Sequence, residues 1–324
     1  MEKMTRLLRD SKGTRWMILI LVSLVMFAAY VASDNIFAVE TTLTQPVAEG
    51  GAYGILDSEY SSLAGAYSIF NVYLLMLIFG GIILDRMGIR FTGIMSTALM
   101  VIGVGMMTWT FFDLRAEVAA GADMGMVNFL GDKLRKPVLP AVIGMGIYGV
   151  GAEIAGITVT KIIAKWFVGY EMALAMGLQL SLARLGTGLA YGATPAVVKM
   201  CSGNVGIAVI IGLVLLMLGF VLYLVYCIYD RRLDKQIALA GGSCGSAGDE
   251  EEKFNVHDVL AVIKNPAFWM IAFLCLLFYA AVNPFLKYST GMMVNKFGIS
   301  EHLAGMFPMI LPMGWIVLSP IFGG

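Results

Sequence analysis

Eight stretches of about twenty or more mostly apolar residues follow one another along this chain, and a bilayer core of about 30 Å takes about that many helical residues to cross. They are Trp16–Val39, Tyr60–Leu84, Phe91–Phe112, Val138–Lys165, Ala173–Val198, Val205–Tyr229, Pro266–Tyr288 and Leu303–Gly324. The expected class is therefore an all-α membrane protein. Only 14% of the residues are charged, well short of the roughly 25% of a soluble domain. Basic residues precede the first run, as they do in a secretion signal. That run is longer than the roughly 7–15 residues of a signal core, and further runs follow it, so it reads as the first membrane helix.

A net charge of zero gives no reason to expect nucleic acid as a partner. Cys201, Cys227, Cys244 and Cys275 are scattered, with no C-x-x-C and no nearby histidine pair, so neither a disulfide frame nor a metal site is expected. The two histidines, His257 and His302, lie outside the apolar runs. No nucleophile–base pair or phosphate loop is visible, and the chain reads as neither an enzyme nor a cofactor carrier.

Lys and Arg between the runs favour an inside amino terminus by roughly two to one. Between the sixth and seventh runs, Asp230–Asn265 contains the small and acidic stretch G-G-S-C-G-S-A-G-D-E-E-E-K, which reads as a solvated cytoplasmic linker. The linker divides a six-span bundle over residues 1–229 from a second unit over 266–324. Asp113–Pro137 reads as a surface loop on the outer side.

The tetrapeptide I-F-G-G occurs at Ile78–Gly81 and again at Ile321–Gly324. Ser58-Glu59 with Leu63-Ala64-Gly65 precedes the first copy, and Ser300-Glu301 with Leu303-Ala304-Gly305 precedes the second. Span 8 thus repeats span 2, six spans later and in the same orientation, the plan of a transporter class built from parallel repeats. The first copy runs on as G-I-I-L-D-R-M-G-I-R, from Gly81 to Arg90. In this stretch Gly81 suits close helix contact. Asp85 can meet a basic partner or a helix amino terminus. Gly88 permits a tight turn, and Arg86 and Arg90 hold the loop inside. The stretch resembles the G-x-x-x-D-R-x-G-x-R signature of the major facilitator superfamily. The resemblance implies the major facilitator fold: a complete six-helix N-terminal bundle plus the first two helices of the C-terminal bundle. It further implies twelve spans in a complete member, so the chain reads as a fragment or truncated product.

Ionisable residues inside spans cost at least about 2.5–3.5 kcal/mol at the membrane centre and are candidate site residues for that reason. Glu153 lies in Y-G-V-G-A-E on span 4, and Arg184 in G-L-Q-L-S-L-A-R-L-G on span 5. These spans are expected to form a hairpin over a short inner turn, with both residues about 17 Å from it, at one depth near the midplane. Gly149, Gly151, Gly156, Gly177 and Gly186 allow close helix contact or leave room for a ligand. Two readings stay open. The pair could lock two helices. It could also form a site with one acidic and one basic pole, suited to a zwitterion whose ammonium meets Glu153 and whose carboxylate meets the Arg184 fork. Asp34, with Asn35 beside it, could face the cavity, bind a cation, carry a proton, or cap a broken helix. Pro284, after Asn283, can kink or break span 7, and Lys287 reads as snorkelling to the outer surface.

Y-G-V-G-A-E, K-W-F-V-G-Y-E, G-L-Q-L-S-L-A-R-L-G, Ser33-Asp34-Asn35 and Asn283-Pro284-Phe285 resemble the domain-containing protein 1 branch of that superfamily, the lysosomal dipeptide uniporters. That resemblance implies alternating-access transport of dipeptides, with Glu153 and Arg184 at the peptide termini and Asp34 and Asn35 nearby. Ile36 stands where animal members tend to have proline, which implies a milder break in span 1. The chain shows no lysosomal sorting signal. Its short loops and spare amino terminus look microbial, so the expected location is a plasma (inner) membrane, which leaves the animal branch's glycosylated partner without a role. The rival reading is a non-transporting receptor or assembly partner, with Glu153 and Arg184 as its structural lock.

Overall fold

The structure is a computed structural model and describes residues 7–239 and 262–323. The acidic stretch of the linker, Cys244, His257 and the last glycine of the second I-F-G-G lie outside the described residues. The helices are α1 (Lys12–Phe37), α2 (Glu40–Thr44), α3 (Asp57–Tyr73), α4 (Met76–Ala120), α5 (Leu139–Trp166), α6 (Met172–Met200), α7 (Val205–Leu239), α8 (Pro266–Phe297), α9 (Glu301–Ala304) and α10 (Met306–Gly323). A small antiparallel hairpin pairs β1 (Met126–Phe129) with β2 (Asp132–Arg135).

Among the described residues, five helical stretches are long and apolar enough to cross a membrane: Lys12–Phe37, Met76–Ala120, Lys136–Trp166, Val205–Leu239 and Pro266–Phe297. Met306–Ile321 is a shorter apolar helix. α6, with Gln179 and Arg184 in its middle, is a single helix over the fifth run. The second run is not one helix. α3 ends at Tyr73, Leu75 takes a left-handed conformation at φ 49°, and the chain re-enters helix at Met76. The remainder of that run continues into the third as α4, across a kink at Gly88 with φ 77° and ψ 168°. A left-handed φ favours glycine, so the turn expected at this position is met by the residue that can make it.

α1 packs against α6 and α7, α4 against α5 and α7, and α3 against α5. Small residues set the closest approaches: a Cβ on Gly144 of α5 would lie 2.6 Å from the Gly103 carbonyl oxygen of α4. α10 packs along α6, and α8 meets α2 and α10. Most of α8 stays exposed; its buried residues are Ser289, Thr290 and Gly291.

Two segments read as loops are more ordered than expected. The sixth helix does not stop at Tyr229 but continues to Leu239, which carries Asp230 and Asp234 into α7. Asp113–Pro137 begins as the last turns of α4 and then folds into the hairpin, which is pinned to the start of α3. The pin is Glu59. Its carboxylate accepts from the Leu56 and Arg135 backbone N–H groups at 3.0 and 2.8 Å, and from Arg135 Nη2 at 2.7 Å. Burial works against the Glu59 charge, yet these donors together hold its carboxyl below the ordinary value.

Candidate functional site

A cavity of about 460 Å³ lies among α1, α3, α5, α6 and α8. Glu153, Arg184 and Asp34 all line it. α5 and α6 leave their connecting turn and diverge: α5 packs on α4 and α3, α6 on α1 and α10. The two helices therefore do not stay together as the hairpin expected from their short inner turn. Their charges face each other across space that a ligand can fill.

Glu153 accepts a hydrogen bond from the Tyr67 hydroxyl at 2.9 Å. Gly149 brings α5 against the Tyr67 carbonyl of α3, whereas a Cβ on Gly156 would meet nothing within 4 Å. Close contact and spare room thus come from different glycines of one helix. The Arg184 guanidinium lies 4.7 Å from the Tyr30 ring centroid and 4.4 Å from that of Trp315 on α10. Its Nε is buried without a hydrogen-bond partner among the described residues. Within those residues no ion pair joins Glu153 to Arg184. The locked pair held open by the sequence is not formed. Instead a carboxylate and a guanidinium, each oriented by aromatic neighbours, share one cavity.

Asp34 accepts from the Ser33 hydroxyl at 3.1 Å. It does not cap a broken helix, because α1 continues to Phe37 and the Asp34 carbonyl still accepts from Ala38 N–H at 2.9 Å. Asn35 departs from expectation. One residue further around the helix, it turns away from the cavity: its Nδ2 donates to the Ala208 carbonyl at 2.9 Å, and its Oδ1 accepts from Thr194 at 2.6 Å. Its amide is spent on joining α1, α6 and α7.

Lys287 also departs. It does not snorkel outward but lines the cavity, with Nζ donating to the Ala64 carbonyl at 2.5 Å and lying 4.8 Å from the Phe37 ring centroid. Pro284 does not break α8, which runs through it as helix. The aromatic lining of Tyr30, Tyr67, Tyr148, Tyr191 and Tyr279 escaped the sequence reading. Hydropathy counts tyrosine with the apolar residues; the usable signal was that a hydroxyl inside a span needs a partner.

The signature stretch lies at the end of the bundle expected to face inward. Asp85 pairs with Lys161 of α5 at 3.0 Å, the basic partner foreseen for it. Gly81 is not the contact glycine, since a Cβ there meets nothing within 4 Å; on Gly80 it would lie 2.6 Å from Ile154 Cγ1. Arg86 is exposed. Arg90 does more than hold the loop: it joins Asp230 and Asp234 at 3.2 and 2.7 Å, and Lys165 reaches the same two carboxylates at 2.7 Å each. This cluster ties α4, α5 and α7 together. Sequence reading missed it because the two aspartates were assigned to the linker.

The sequence profile of the Major Facilitator Superfamily matches residues 15–324. Among curated proteins, the lysosomal dipeptide transporter MFSD1 of Pongo abelii is 25% identical over 318 residues, covering 95% of this chain and 60% of the relative. The Homo sapiens protein of that name gives the same identity and coverage. That of Danio rerio is 24% identical over 322 residues, covering 95% of this chain and 61% of the relative. The chain thus spans about 60% of the length of the relatives it matches.

Proposed function

This chain belongs to the major facilitator superfamily, and from that premise we propose that it is part of a secondary transporter moving small zwitterions, most specifically dipeptides, by alternating access. The observation that carries the reading is the cavity. Glu153 and Arg184 line it from separate helices; among the described residues no ion pair joins them and Arg184 Nε has no acceptor. A dipeptide offers the matching poles, an ammonium for Glu153 and a carboxylate for the Arg184 fork. The aromatic faces around Arg184 exclude water and strengthen its attraction for a carboxylate.

The family and the names of its relatives favour a transporter over an enzyme. The relatives' names place them in the lysosome, so the expectation of a plasma membrane finds no support there. Within our reading the amino terminus and the signature stretch face the cytoplasm, residues 1–229 form the first bundle, and 266–324 begin the second. Transport is facilitated, with Asp34 as a cavity charge. A dependence of uptake on the pH gradient would replace this with proton coupling through Asp34 or Glu153.

The test is uptake of a labelled dipeptide into proteoliposomes carrying the complete protein. Glu153→Gln and Arg184→Ala are each expected to abolish it. Unchanged flux in both variants would overturn the site assignment. Peptide binding without any flux would favour the receptor or assembly-partner reading.

A further inference from the structure

Over most of its length α8 is bare, yet within six residues it makes four hydrogen bonds with three other helices, accepting two and donating two. The Leu286 carbonyl accepts from the Tyr191 hydroxyl of α6 at 2.7 Å, and the Lys287 carbonyl from the Tyr60 hydroxyl of α3 at 2.9 Å. Lys287 Nζ donates to the Ala64 carbonyl of α3 at 2.5 Å, and the Gly291 N–H donates to Glu40 Oε2 of α2 at 3.0 Å. The fit at Gly291 is close: a Cβ there would lie 2.9 Å from the Glu40 carboxyl atoms. Leu286 and Lys287 line the cavity, so these bonds form its wall at the end expected to face outward.

The setting of this seam differs from that of the other helix contacts. Within the first bundle, polar links such as Asn35 to Ala208, Tyr148 to Ala29 and Tyr223 to Ile89 lie inside a buried apolar core. Along α8 the buried residues are Ser289, Thr290 and Gly291, so the polar groups act with little apolar burial beside them, and on separation each can exchange its partner for water at a small net cost. We propose that this polar seam is the outer gate of the cavity, that it parts when the site opens outward, and that Glu40 is its proton-responsive member. The proposal rests on the alternating-access reading above.

Glu40 is buried, at 9% exposure, and no basic side chain pairs with it among the described residues. The titratable groups that face it are Asp57 and Tyr60 of α3 and Tyr191 of α6. Burial pushes its carboxyl above the ordinary value, Asp57 adds to this, and the Gly291 N–H only partly opposes them. In an open gate the same carboxyl is hydrated and titrates at its ordinary value. Protonation therefore favours the closed seam. That preference is full below the ordinary value and is lost as pH rises through the raised one.

The experiment is thiol labelling in the complete protein, with native cysteines replaced by serine and Ala29→Cys as reporter inside the cavity. A membrane-impermeant thiol reagent is added from the outer side. Labelling should rise as the outer pH is raised. Glu40→Gln, which keeps an acceptor for Gly291 without the charge, should label slowly and independently of pH. Tyr60→Phe with Tyr191→Phe removes two seam bonds and should speed labelling about fivefold or more. Labelling that ignores both pH and Glu40→Gln overturns the role of Glu40. Labelling that ignores the tyrosine pair overturns the gate itself. Because the readout needs no dipeptide flux, it fails or succeeds separately from the substrate assignment.

Discussion

Arg184 sits between two aromatic faces, Tyr30 and Trp315, with a buried Nε that no described group satisfies. A planar fork stacked this way is not replaceable by a compact ammonium. Arg184→Lys keeps the charge and should still raise the KM for a dipeptide about tenfold or more, equivalent to about 1.4 kcal/mol. A KM within twofold of wild type would show that charge alone suffices. Glu153, Arg184 and Asp34 were legible because a charge in an apolar run stands out against its neighbours. Asn35 was misread for a related reason: its place beside Asp34 in sequence puts it about 100° around the helix, facing α7. Lys287 was misread because its nearness to a span end says nothing about which way its side chain points.

α7 outlasts its apolar stretch because Asp230 and Asp234 find Lys165 and Arg90 waiting at the end of the bundle. The Asp230 side chain is fully buried and that of Lys165 nearly so, at 8% exposure. Removing one partner of a buried pair costs about 3–5 kcal/mol, most of it from the charge left behind. Asp230→Ala should therefore lower the melting temperature sharply, whereas Arg86→Ala, on an exposed residue of the same signature, should leave it unchanged. Equal melting temperatures would remove the cluster's structural role. At the other end, the hairpin depends on Glu59. Its carboxyl titrates below its ordinary value of 4.5 in the folded state, so the stability it contributes is present above that value and lost as pH falls through the lowered one. Thermal stability should accordingly fall on acidification below about pH 4.5, and Arg135→Ala should flatten that fall by removing the main source of the lowered value. The break between α3 and α4 was not legible. Leu74 and Leu75 carry neither glycine nor proline, both are more than half exposed, and nothing in the structure explains the left-handed turn at Leu75.

α8 has an apolar surface that the described residues leave uncovered: Trp269, Met270 and Leu274 are 58%, 75% and 68% exposed. The relatives are longer, with this chain covering about 60% of them. Residues 1–324 expressed alone should accordingly give no dipeptide flux in proteoliposomes, while the complete protein should; flux from the segment alone would mean that these helices already enclose a working path. By itself the sequence determined the helical membrane class, the signature stretch with its turn at Gly88, the family, and three of the charges in the cavity. Each depends on local composition or spacing, because lipid accepts only long apolar runs and makes a lone charge expensive wherever it falls. Tertiary structure alone decided that Glu153 and Arg184 stand apart, that tyrosines orient them, that Lys287 turns inward and Asn35 away, and that Asp230 belongs to a buried cluster. Those outcomes depend on which helix lies opposite. α5 and α6 could have closed on each other or diverged with the same residues at the same depths, and packing against α1, α3, α4 and α10 settled which.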